Sequence, residues 1–168
     1  MHHLFPTTSK AILGILGFLF FIGLAPILGQ IPSFSEPYSN VIFSYSLQDF
    51  HEMLRTGTDE QLSQENLYLL GGTITSLAIL DPEPQSYYVD LELMDAHWID
   101  SRTLVNYEAY IVILDYRFAS RVSTTGQNRP GMLAPQTRGL FLLQYYGPTE
   151  SSTGELAPVF ILVDFKPF

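Results

Sequence analysis

The side chains most capable of chemistry crowd into one stretch between Asp81 and Asp100: Asp81, Glu83, Asp90, Glu92, Asp95, His97 and Asp100. Carboxylates with one imidazole are a donor set for Ca²⁺ or another divalent ion, and such groups also supply acid–base pairs for hydrolysis. An extended backbone divides them, because alternate residues point to opposite faces. Asp90, Glu92 and Asp100 then share one face while Asp95 and His97 share the other. One ion cannot use both sets, so the metal candidate reduces to Asp95 and His97, and the remaining acids read as a solvent-facing edge. A metal-dependent or carboxylate-based hydrolase centred on residues 90–100 is the enzymatic alternative. No resident cofactor is expected.

Other chemistries are missing their parts. The sequence contains no cysteine, which removes disulfides, thiolate metal sites and cysteine nucleophiles. Neither G-x-S-x-G nor a phosphate-cradling G-x-x-x-x-G-K-[ST] occurs. His51 falls on the apolar stripe of a predicted helix, where a structural histidine is the expectation.

A binding surface is better represented than a catalytic one. In the predicted strand over 107–122, Tyr110, Val112, Leu114, Tyr116 and Phe118 share a face, opposite Ile111, Ile113, Asp115 and Arg117. Both faces of such a strand require cover. Trp98, with several tyrosines, could extend Tyr110, Tyr116 and Phe118 into an aromatic platform for a carbohydrate or peptide. Arg129 and Arg138 belong to a glycine- and proline-rich loop over 123–138, which is expected to be mobile unless something holds it.

The elements that must position these residues follow from hydropathy patterning. Residues 11–29, AILGILGFLFFIGLAPILG, carry no charge and follow a short segment whose one fixed cation is Lys10. That order is expected of an export signal cleaved near Gly29, or of a retained N-terminal membrane anchor. Residues 30–45 read as an irregular lead-in and 46–168 as a single β-rich domain. Within it, Ser46 begins a predicted helix that Gly57 stops, and a second short helix is expected over 58–65. About five antiparallel strands follow, over 68–80, 87–99, 107–122, 139–146 and 158–165, with Gly71 and Gly72 permitting a bend in the first. Two short helices followed by about five strands, the first long and glycine-bent, resembles the layout of an OB-type barrel. Another small barrel, an antiparallel α+β sheet or a two-sheet sandwich shares the pattern. Five strands are too few for a transmembrane barrel.

The net charge of −9 speaks against nucleic acid, whose phosphates need a basic face. The sequence therefore predicts an exported, periplasmic, non-enzymatic binding or scaffold domain, an accessory subunit of a bacterial envelope assembly. Its partner would be a protein, with membrane contact only through residues 11–29 if these are retained.

Overall fold

The computed structural model describes residues 40–125, 130–151 and 153–168; the signal or anchor expected over 1–29, most of the expected lead-in and Arg129 lie outside the described residues. Strand β1 (Val41–Ile42) is followed by helix α1 (Leu47–Thr56), and then by β2 (Leu67–Asp81), β3 (Tyr88–Trp98), β4 (Leu104–Ile113), β5 (Arg138–Glu150) and β6 (Leu156–Pro167). Apolar side chains alternate along these strands, so one face of each can be buried: Val89, Leu91 and Leu93 on β3, Ala109, Ile111 and Ile113 on β4, and Phe141, Leu143 and Tyr145 on β5. Together they line a closed interior.

Closure comes from pairing. The strand order is β1-β2-β3-β4-β6-β5, and β2 also bonds β5, so the five long strands form a ring. This is the connectivity of the OB-type barrel. The expectation of purely antiparallel strands does not hold, because Tyr110 to Val112 of β4 pair in parallel with Val159 to Ile161 of β6. The β5–β6 hairpin closes the ring with β6 running alongside β4.

β2 is long because it serves two neighbours. Its first half pairs with β5 as far as Thr73, and from Thr73 onward it pairs with β3. At this changeover Gly72 lies opposite Gly139. A Cβ on Gly72 would stand 2.8 Å from Leu93 Cγ, and one on Gly139 would stand 2.8 Å from the Lys166 carbonyl oxygen. Side chains are excluded where β2, β3, β5 and β6 converge, which explains the glycines better than a loose bend does.

Two plugs close the ends. α1 begins with a capping box, in which the Asp49 backbone N–H donates to Ser46 Oγ at 3.3 Å and the Ser46 N–H donates to Asp49 Oδ2 at 2.7 Å. It ends at Gly57, whose φ of 69° suits glycine. Phe50 projects from α1 into the barrel, with ring centroids 5.1 Å from Tyr68 and 4.9 Å from Phe160. The aromatic contact extends to Tyr45, in the stretch read as an irregular lead-in.

Tyr145 joins the same cluster, and among the described residues its hydroxyl has no hydrogen-bond partner. Burial, with smaller contributions from Asp59 and Tyr68, pushes its pKa up to about 12. An unfolded tyrosine ionises near 10, whereas the folded one must stay protonated, so stability falls as pH rises between those values. Tyr145→Phe removes that linkage and an unpartnered hydroxyl. Chemical denaturation is expected to find this variant at least as stable as the parent at pH 8, with a shallower loss from pH 10 to 12; an unchanged alkaline slope would contradict the assignment.

At the opposite end the strand expected over 107–122 stops at Ile113. Asp115 accepts the Arg117 N–H at 2.9 Å and caps a 3-10 turn, Tyr116–Arg121, which drops the buried Phe118 onto Phe165 with ring centroids 5.9 Å apart. The alternating pattern continued past the strand because a 3-10 turn can also bury one aromatic and expose its neighbours. The predicted helix over 58–65 likewise reduces to a 3-10 turn, Asp59–Gln61. The 123–138 loop is held on its described side: Leu133 donates to the Arg121 carbonyl at 2.6 Å and accepts from the Ser123 N–H at 2.8 Å, and Leu133 and Ala134 are fully buried.

Candidate functional site

The acidic stretch splits as alternation requires. Asp90 and Glu92 lie on the outer face of β3, and Glu92 accepts from Thr75 Oγ1 at 3.0 Å and Ser76 Oγ at 3.1 Å. Asp100 sits in the β3–β4 turn, where the Arg102 N–H donates at 2.7 Å and the Thr103 N–H at 2.8 Å. These bonds, that from Arg102 foremost, hold its carboxyl below the usual carboxylate range. Asp81 is lowered in the same way by the Glu83 N–H. Asp95 and His97 do meet, the imidazole donating from Nε2 to Oδ2 at 2.7 Å. The described residues hold no group of three potential metal ligands. His51 donates from Nε2 to the Glu108 carbonyl at 2.7 Å, tying α1 to β4.

The aromatic and basic candidates are dispersed. Trp98 stands exposed at the tip of the β3–β4 hairpin, and Tyr110 is half-buried on the outer face of β4 opposite Glu92. Tyr116 is exposed at the other end, edge-on to Tyr87 at 5.4 Å, while Phe118 is core. Arg138 begins β5 and is exposed.

Charge is divided along the barrel. The outer face of β3 and β4 presents Asp90, Glu92 and Glu108, and neither strand contributes a lysine or arginine. A phosphate chain would be repelled there. Arg121, Arg138 and Lys166 lie instead near the end where β5 starts and β6 finishes, with Arg55 on α1 and Arg102 in the β3–β4 turn elsewhere. Lys166 pairs with Leu140, Pro167 with Gly139, and the Phe168 N–H donates to the Arg138 carbonyl at 2.9 Å. Two exposed cations thus flank Phe168, which is 77% exposed. Arg121 lies 3.9 Å over the Phe165 ring, and its Nη1 is 4.0 Å from Asp164. Lys166, Phe168 and Arg121 were not singled out by the sequence. Period-two alternation puts Asp164, Lys166 and Phe168 on one face, but only the β5–β6 register brings Arg138 beside them.

Among solved structures the chain is similar to a small single-stranded DNA-binding protein from Mycoplasma pneumoniae, at 16% identity over 61% of this chain and 91% of that one, with a TM-score of 0.35. It is also similar to the Plasmodium falciparum SSB complexed with ssDNA (13% identity, 61% and 94% covered, TM-score 0.38). A third is a small single-stranded DNA-binding protein from Streptomyces coelicolor (10% identity, 61% and 93% covered, TM-score 0.36). No family model and no curated protein matches the sequence.

The names of these neighbours, all single-stranded DNA-binding proteins, run against the expectation of an envelope scaffold with a protein partner and no nucleic acid. Within the acidic stretch, Glu92 is engaged by hydroxyls and Asp100 by turn amides. The exclusion of nucleic acid was drawn from a net charge of −9. Net charge is a sum over the chain, whereas phosphate contact depends on the local field. Here the acids dominate the β3–β4 face and leave the β5–β6 end with exposed cations.

Proposed function

We propose that this domain binds single-stranded nucleic acid weakly, at the β5–β6 end of the barrel and not across the outer face of β3 and β4. The observation that carries the reading is the grouping of Arg138, Lys166 and Phe168. An exposed aromatic ring between two cations is the pairing single strands require, the ring stacking on a base while the cations meet adjacent phosphates. Arg121 adds a third positive charge nearby. OB-type barrels are a frequent platform for such ligands.

With about three phosphate contacts, the logarithm of affinity should fall against the logarithm of salt with a slope near −2. Fluorescence anisotropy of a labelled oligothymidylate of about 15 nucleotides, titrated with the full chain at low salt, tests this directly. Phe168→Ala should weaken binding by roughly fivefold to a hundredfold, the range of one lost stacking contact. Arg138→Ala with Lys166→Ala should flatten the salt slope by about 1.4, the share of two of the three contacts. Absence of binding at low salt, or binding indifferent to these three residues, would overturn the proposal.

A further inference from the structure

The barrel end opposite the proposed site carries an exposed apolar tip. Trp98 and Leu104 face each other where β3 turns into β4, and Ile99 follows within the turn. Their exposures are 67%, 47% and 64%. The turn is fixed, since the Ile99 N–H donates to the Thr103 carbonyl at 2.9 Å and Asp100 binds the following amides. Leu156, at the start of β6, projects from the same end and is also exposed.

The chain also enters the barrel at this end. Val41 pairs with Leu67, the first residue of β2, and β2 starts at the end where β3 finishes. Residues 30–39 span at most roughly 35 Å when fully extended. Beyond them lies the uncharged run 11–29.

We infer that the Trp98–Ile99–Leu104 tip rests in the headgroup region of a lipid bilayer. The inference goes beyond nucleic-acid binding and rests on reading residues 11–29 as a retained membrane span. A span so placed keeps the barrel within one short tether of the bilayer, and tethering turns weak contact into a high local concentration. Tryptophan is suited to this boundary, having an apolar ring and a polar N–H. Arg102 on the same turn can meet lipid phosphates. Insertion is shallow, because Asp100 in the turn itself keeps its charge and Asp95, His97 and Glu108 follow on the strands behind the tip, all opposing deeper burial.

Trp98 is the one tryptophan in the sequence, so intrinsic fluorescence reports on the tip alone. The full chain is reconstituted into phosphatidylcholine vesicles, with and without acyl chains brominated near the headgroup. Trp98 emission should shift to the blue and be quenched by the brominated lipid. Ile99→Asp with Leu104→Asp should abolish most of the quenching while circular dichroism stays unchanged, both residues being exposed. A chain that floats with the vesicles but keeps water-exposed, unquenched Trp98 overturns the inference, whether the tip is free or covered by protein. A chain that does not float overturns it as well, by removing the anchor. Neither result bears on oligothymidylate binding, which is measured without lipid.

Discussion

Phe50→Ala is expected to destabilise the domain by about 4 kcal/mol, the range for removing a fully buried phenylalanine. Phe50 is completely inaccessible, and its ring meets Tyr45, Tyr68, Tyr145 and Phe160 at centroid separations of 4.9 to 5.9 Å. No neighbouring side chain can collapse into the space, because Tyr68, Tyr145 and Phe160 are anchored on three different strands, β2, β5 and β6, around the barrel mouth. Typical domains are stable by only about 5–15 kcal/mol, so the loss is a large fraction of the total. For a domain of this size it corresponds to a fall in melting temperature of roughly 15 °C. Gln48→Ala, on the exposed side of the same helix, should change stability by less than about 0.5 kcal/mol. Thermal denaturation of the two variants separates a helix that plugs the barrel from one that merely leans on it. If Phe50→Ala costs under about 1 kcal/mol, the plug is not part of the core.

The second large effect distinguishes two adjacent glycines. A methyl group on Gly139 would lie 2.8 Å from the Lys166 carbonyl oxygen and 3.1 Å from Pro167 Cα, both backbone atoms of the paired strand. Relief requires β5 and β6 to separate where the barrel is most tightly drawn. Gly139→Ala is therefore expected to cost about 3 kcal/mol, at the upper end for overpacking. Gly72→Ala should behave similarly, since Leu93 is fully buried and its Cγ cannot swing clear of a new Cβ. Gly71→Ala should be neutral or slightly stabilising, because its nearest neighbour is the tip of Leu140 at an ordinary 3.9 Å and alanine restricts the unfolded chain. Urea midpoints for the three variants test the ordering; equal costs at Gly71 and Gly72 would mean that the seam is not where β2 changes partners.

The sequence by itself determined the mostly β character, the approximate strands, and the helix opened by Ser46 and closed by Gly57, and it left the OB-type layout as one of several architectures with the same pattern. Those features depend on local physics: alternation makes a strand amphipathic, and a capping box satisfies amides within four residues of one another. It also put Asp95 and His97 on a common face, since residues two apart in a strand are neighbours whatever the tertiary fold.

Tertiary structure alone decided what those elements do. The end of β4 at Ile113 depends on Asp115 capping a turn whose Phe118 finds Phe165, a partner far along the chain. The parallel pairing of β4 with β6, the approach of Gly72 to Gly139, and the meeting of Arg138 with Lys166 and Phe168 are all matters of register between distant strands. Composition records how much charge the chain carries and not where folding puts it. A total of −9 thus concealed a barrel with an acidic β3–β4 face and two exposed cations around an aromatic ring at one end.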